Sequence, residues 1–379
     1  MGEFVGFAWN YVVVFLIVLS VLVYVHEWGH FWVARRNGVR VEVFSIGFGP
    51  EILGWYDKFG TRWKISAIPL GGYVKMFGEG EDADDGEAPS ELSEEEKAVS
   101  FSHKTVGQRA AIVAAGPIVN FLFAILVLAA LAAIVGSPKP LAGIGEVVAG
   151  SAADKAGLVS GDTITRIGKE DVRFFTDLQR IIVVNGGNTL ELQVMRGDQS
   201  LTLVATPELQ SGSIENGEAA QVGRLGVRPD PEQIIYERHN PVMAVWIGMK
   251  QTWTMTVNIL TYVGDLILGD KGTDDLGGPL RIAQISGQMA QTGIVNVVFL
   301  MAILSINLGV INLFPIPMLD GGHLAFYAVE ALTGKPLGPK IQEYSFRLGL
   351  ILVLMLVVFV TWNDLVHLRV IEFIKELVT

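Results

Sequence analysis

Long apolar runs alternate along this chain with stretches of shorter period. Phe7 to Val25 is almost uninterrupted apolar sequence and predicts a first membrane-spanning helix from about residue 7 to about residue 34. Val41 to Met76 alternates apolar and polar positions. Val41-Glu42-Val43-Phe44 and Trp63-Lys64-Ile65-Ser66-Ala67-Ile68 predict strands, Pro69 to Tyr73 a turn, and Val74-Lys75-Met76 a returning strand. Ala110 to Val135 predicts a second span. Its Gly116-Pro117 pair is tolerated where neighbouring helices satisfy the freed backbone. From Ser137 to about Pro229 the pattern becomes that of a soluble α+β domain. Strands are expected at 145–148, 162–167, 189–194 and 200–204, and a helix at Phe175 to Val183. Pro241 to Leu268 mixes apolar residues with Lys250, Gln251, Asn258 and Asp265. That pattern predicts a helix lying in the membrane interface, with a tilted or partial span as the alternative. Val297 to Phe314 and Leu348 to Trp362 predict the third and fourth spans.

The expected fold is therefore a multi-span α-helical membrane protein with four transmembrane helices, a membrane-associated β-hairpin loop and one inserted domain. The divisions are 1–36 (first span), 37–78 (β-loop), 79–104 (acidic loop), 105–136 (second span) and 137–229 (inserted domain). After these come 230–290 (interfacial segment), 291–330 (third span) and 331–379 (loop, fourth span and tail). The run Gly150 to Leu158, followed by Gly161-Asp162, resembles the signature of bacterial PDZ domains. Such domains take a C-terminus or an extended peptide by strand addition to a groove.

Composition agrees with a membrane protein: 50% of residues are hydrophobic, 18% are charged, and mean hydropathy is +0.44. Without cysteine, disulfides and thiol catalysis are excluded. The net charge of −11 is concentrated, since ten acidic residues lie between Glu79 and Glu96 and the rest of the chain is near neutral. That run reads as a solvated cytoplasmic loop. No basic patch with interleaved aromatics suggests nucleic-acid binding.

Charge also orients the spans. Arg35, Arg36 and Arg40 follow the first run, so the positive-inside rule puts that end in the cytoplasm and the N-terminus outside. No basic region precedes the run and no small-x-small cleavage site follows it, against a signal peptide. Lys335, Lys340 and Arg347 before the fourth span agree. Both termini and the inserted domain are then expected outside, with membrane lipid as the surroundings of the spans.

The chemistry lies at His26-Glu27-Trp28-Gly29-His30, an H-E-x-x-H motif at the cytoplasmic end of the first span. Histidines at i and i+4 share one helix face and can grip one Zn²⁺, and Glu27 beside them can take a proton from water. A catalytic zinc site needs a third protein ligand. Asp320 reaches the same depth from the third span, and His323 is the competitor. Asn120, a polar group within an apolar span, is expected to bond a partner helix or a substrate backbone. A metal-binding transporter or a scaffold recruiting partners through its PDZ domain is the rival class. A scaffold would not need Glu27, and a transporter would usually spread polar residues across the bilayer.

His26 to His30 in a first span, with Asn312-Leu313-Phe314-Pro315-Ile316-Pro317-Met318-Leu319-Asp320-Gly321-Gly322 in a third, resembles the site-2 protease family of intramembrane zinc metalloproteases. The likeness is greatest to its bacterial RseP-type regulators of sigma-factor signalling. It extends to Gly71 to Met76, Ala115 to Phe121, the PDZ stretch and Gly277 to Ala283. The resemblance implies zinc on His26, His30 and Asp320, Glu27 as general base, and Asn312 holding or polarising substrate. Gly71, Gly72 and Tyr73 would pair with an extended substrate, and Asn120, Pro315 and Pro317 join the expected substrate-binding set. The implied substrates are single-pass membrane proteins, such as pre-trimmed anti-sigma factors or remnant signal peptides, in a bacterial inner membrane. Only about one hundred residues separate the second span from the interfacial segment, which is room for one PDZ domain rather than a tandem pair.

Overall fold

The computed structural model describes residues 9–79, 92–213, 219–269, 271–272 and 277–367. The middle of the acidic loop (80–91) and the C-terminal tail beyond 367 lie outside the described residues. The chain forms two compact units, Met1–Ala130 with Val242–Thr379, and Leu131–Pro241.

The first unit opens with a π-helical turn, Trp9–Val13, leading into α1 (Val14–Arg36). Two long strands follow, β1 (Val41–Tyr56) and β2 (Arg62–Met76), which pair antiparallel. Their register is folded. Ser45 lies opposite Tyr73 on one side and Lys64 on the other, and Trp55 opposite Trp63. The two strands thus make four rows, in the order 72–76, 41–46, 62–66, 51–56, with Gly72–Met76 at one edge.

This corrects the expected turn at Pro69 to Tyr73, which lies inside β2. The tight turn is instead at Asp57 to Thr61, where Asp57 Oδ1 accepts from the N–H groups of Phe59 (2.8 Å) and Thr61 (3.0 Å) and Gly60 has φ +86°. The Pro-Gly-Gly signal marks where β2 crosses from one flank of β1 to the other, with Gly71 at φ +140°. Phe44 fixes the sheet to α1: it is fully buried, stacks on Trp63 at 4.3 Å, and meets Phe31 and Tyr24 edge-on. Burying such a side chain contributes about 2–3 kcal/mol. A short helix α2 (Glu94–Val99), started by a Ser93/Glu96 capping box, precedes α3 (Val106–Ile134).

The second unit carries β3 (Ser137–Pro140), β4 (Ile144–Val147), α4 (Ala152–Lys155), β5 (Thr163–Ile167), β6 (Glu170–Asp171), α5 (Phe175–Val184), β7 (Leu190–Arg196), β8 (Gln199–Ala205), β9 (Glu208–Ser213), β10 (Ala219–Arg224), β11 (Val227–Pro229) and β12 (Ile234–Glu237). Strands β6-β5-β7-β8 form one sheet. Its inner face and the apolar side of α5 (Phe175, Leu178, Ile181, Ile182) close over Ile144, Ile164, Leu192 and Val194. The unit runs past the expected boundary at 229, because β12 returns to pair with β3, Glu237 opposite Ser137.

The first unit then resumes with α6 (Pro241–Leu268), α7 (Pro279–Thr292), α8 (Ile294–Leu313), α9 (Asp320–Thr333) and α10 (Pro339–His367). Helix α6 buries its small residues Ala244 and Gly248, and Gly248 lies against α3. A Cβ on Gly248 would stand 2.6 Å from the Ile125 carbonyl oxygen. Among the described residues, four helices are long and apolar enough to cross a membrane: Tyr11–Arg36, Val106–Ile134, Ile294–Leu313 and Pro339–Val366. Helix α6 is not one of them.

Candidate active site

Helices α1, α3, α8 and α9 bring the predicted residues together. His26 and His30 lie one turn apart on the buried face of α1, each 8% exposed, with Nε2 atoms 3.2 Å from each other. Asp320 begins α9, where a carboxylate also complements the helix dipole. It is placed by a tight turn after α8: Cβ atoms on Gly321 or Gly322 would overlap the carbonyls of Leu313, Phe314 and Ile316, and Met318 takes φ +88°. A positive φ at a side-chain-bearing residue is costly and collects at functional turns.

Asp320 Oδ2 lies 3.2 Å from His26 Nε2 and 3.5 Å from His30 Nε2, and is buried without a hydrogen-bond partner. His30 Nδ1 donates to the Ile112 carbonyl oxygen at 2.9 Å, so in the neutral ring the Nε2 lone pair points at Asp320. Unprotonated nitrogen and carboxylate oxygen facing each other in a buried place repel unless a cation joins them. Ligand bonds of 2.0–2.2 Å in tetrahedral array imply donor separations of roughly 3.3 Å, which the three observed distances match. The two histidines and Asp320 therefore fit a zinc ion and leave its fourth position free. Among the described residues this is the one group of three or more such side chains that could hold a metal. His323 lines the same cavity without joining that group; its ring lies against Phe346 and Phe326.

Glu27 faces the edge of the sheet. Gly72 lets the two elements approach, since a Cβ there would meet the Ser45 carbonyl oxygen (2.6 Å), Val23 Cγ1 (2.7 Å) and Glu27 Cγ (3.3 Å). Val74, on the same edge strand, lines the cavity beside Glu27. A cavity of about 1070 Å³ opens over these groups, lined by His26, Glu27, His30, Gly72, Tyr73, Val74, Asn312 and Asp320. Asn312 Nδ2 is 3.4 Å from His26 Nε2.

Other members of the expected substrate-binding set lie elsewhere. Asn120 has no solvent exposure and faces His26 Nδ1 from α3, Nδ2 to Nδ1 3.1 Å, which closes it to a substrate. Gly71, Pro315 and Pro317 do not line the cavity; Pro317 instead packs under Gly349 of α10. Sequence reasoning missed Val74 and the Ile112 carbonyl. It also gave Gly29 and Gly116 no role, yet Gly29 meets the Ala115 backbone and a methyl on Gly116 would overlap both imidazoles. The available signal was the helical spacing 112, 116, 120 on α3.

Comparison with known proteins adds the following. A family model described as Peptidase family M50 matches residues 14–356. An Agrobacterium fabrum protein named provisionally as a zinc metalloprotease is 44% identical over 365 residues, covering 95% of this chain and 97% of its own. Metalloprotease MmpA of Caulobacter vibrioides is 38% identical over 96% of this chain and 97% of its own. The regulator of sigma-E protease RseP of Salmonella typhimurium is 33% identical over 94% of this chain and 98% of its own. Among solved structures, the PDZ domain of the SdrC-like protein from Listeria monocytogenes matches 24% of this chain and 90% of that chain, at 18% identity and a TM-score of 0.19.

Proposed function

The chain belongs to peptidase family M50, and from that premise we propose a substrate class and a course for its chemistry. It is an intramembrane zinc metalloprotease. Its proposed substrates are single-pass membrane proteins, such as a pre-trimmed anti-sigma factor or a remnant signal peptide, hydrolysed at peptide bonds in or near their transmembrane segments. The observation that carries this proposal is the edge strand Gly72–Val74 lying along the same cavity as Glu27 and the three zinc-binding side chains.

His26, His30 and Asp320 would hold zinc, which would supply Lewis acidity to the attacking water and the scissile carbonyl. Glu27 takes the proton of that water and passes it to the leaving amine. A helical substrate hides its carbonyls in i→i−4 bonds, so it must unwind before attack. The β2 edge offers the freed backbone a partner by strand addition. Asn312, beside the site, is suited to hold the substrate carbonyl.

We place the protein in a bacterial inner membrane, with both termini and the PDZ-like unit outside and the site in the cytoplasmic half. Arg35, Arg36 and Arg40 at the end of α1 support that orientation. The exposed apolar tip of the sheet (Ile52, Leu53, Trp55, Tyr56, Phe59) supports a membrane-associated loop. Peptide or C-terminus capture in the PDZ groove belongs to the same proposal, as does an interfacial position for α6.

The test is Glu27→Gln in a cleavage assay with a single-span substrate in reconstituted membranes. Cleavage should fall about 10²–10⁴-fold with zinc still bound. Equal cleavage by wild type and variant would remove the proposed mechanism. A reporter fused after Gln199 should report outside, and a cytoplasmic signal would overturn the orientation.

A further inference from the structure

One face of α3 orients both zinc histidines. Ile112, Gly116 and Asn120 recur every four residues and so lie in one row along the helix. The Ile112 carbonyl oxygen accepts from His30 Nδ1 at 2.9 Å, Gly116 leaves room for the two rings, and the Asn120 carboxamide lies 3.1 Å from His26 Nδ1. His30 is thus held by a backbone atom that no substitution removes, and His26 by a side chain.

We propose that Asn120 is the positioning residue for His26: its carboxamide oxygen accepts the Nδ1 proton and so keeps Nε2 free to bind zinc. The inference rests on the zinc reading above. Three observations carry it. Asn120 has no solvent exposure, so its amide must find partners inside the protein. Its backbone carbonyl accepts from Ser305 Oγ at 2.9 Å, which pins the residue between α3 and α8. Finally, the amide contacts the ring nitrogen opposite to the one 3.2 Å from Asp320 Oδ2. The two ends of a carboxamide occupy nearly the same volume, so chemistry decides which end faces the ring. A zinc ligand needs a lone pair on Nε2, which places the proton on Nδ1 and an acceptor opposite it. With the amide nitrogen there instead, the Nε2 proton would point into the metal position.

The experiment is zinc affinity by chelator competition on the full-length protein in detergent, for wild type, Asn120→Asp and Asn120→Leu. Thermal unfolding of each metal-free form reads packing separately. The leucine variant, matched in size but without an acceptor, should bind zinc about 10–100-fold more weakly. The aspartate variant keeps an acceptor and should stay close to wild type. Cobalt substituted for zinc should keep its tetrahedral visible band in the aspartate variant and lose it in the leucine variant. Asn120→Ala repeats the comparison should the leucine variant not fold. Wild-type affinity in the leucine or alanine variant would overturn the proposal, as would an aspartate variant as weak as the leucine one. If wild type itself holds no zinc, the metal reading fails instead.

Discussion

His30 Nδ1 and the carbonyl oxygen of Ile112 are 2.9 Å apart although 82 positions separate them in the chain. That bond fixes one of the proposed zinc ligands, and it exists because glycines let α1 and α3 nearly touch. A Cβ on Gly29 would stand 2.5 Å from the Ala115 carbonyl oxygen, and one on Gly116 would overlap His30 Nε2 and lie 2.8 Å from His26 Cε1. Gly116→Ala should therefore lose bound zinc, measured as metal content of the purified protein. Gly29→Ala should separate the helices, at about 1–3 kcal/mol of overpacking, and weaken zinc binding less severely. A zinc-replete Gly116→Ala protein would contradict this account.

Gly72 is expected to behave differently. Its added methyl would press on the Ser45 carbonyl oxygen, Val23 and the Glu27 stem, not on the zinc ligands. Gly72→Ala should keep its zinc and lose turnover, because Glu27 is displaced. Displacing a catalytic group by about 1 Å can cost on the order of 10²-fold in rate. Metal content and cleavage rate measured on one preparation separate the two glycines.

Asp364, 1% exposed on α10, caps α7 from another helix. Its Oδ1 accepts from Gly278 N (2.8 Å), and its Oδ2 from Leu280 N and Arg281 N (both 3.0 Å). An acidic side chain at a helix N-terminus satisfies orphan N–H groups and complements the dipole. Asp364→Ala should cost about 1–2 kcal/mol locally, seen as faster hydrogen exchange at residues 278–282. Unchanged exchange there would mean that the cap does not hold α7.

In the second unit, Asp162 is wholly buried and bound by Arg196 through Nε and Nη2, each at 2.8 Å, and by Val159 N. Burial opposes its ionisation, but the Arg196 and Val159 bonds prevail and hold the carboxyl below its usual range. A carboxyl with a depressed folded value contributes fully above its unfolded value and loses that contribution as pH falls through the folded one. Arg196→Met should thus destabilise the unit near neutrality, and the deficit should shrink below about pH 4. Exchange protection of β5 and β7 across pH would show it, and a pH-independent deficit would refute the assignment.

The sequence by itself determined what local periodicity carries. Apolar runs of 15 to 26 residues mark the four helices long and apolar enough to span, and H-E-x-x-H puts His26 and His30 on one face because a helix turns in 3.6 residues. The alternation after Val41 marked strands, but not which row lies beside which. That order depends on where β2 bends around β1, and the Pro-Gly-Gly signal showed only that a bend exists. The Asp57 turn carries its own Asx signal, but the glycines at 71 and 72 give a stronger one in the wrong place.

Tertiary structure decided the remainder. Asp320 could be proposed as a ligand from depth and resemblance, but only packing brings its Oδ2 to 3.2 and 3.5 Å from the two imidazoles. The partner of Asn120 was open between a helix and a substrate. In the fold it has no solvent exposure and lies 3.1 Å from His26 Nδ1 on α1, a placement that only the packing of α3 on α1 creates. Gly29, Gly72 and Gly116 have no side chain and hence no chemical signature. Their role is the space they leave, which exists only once a second element has come to fill it.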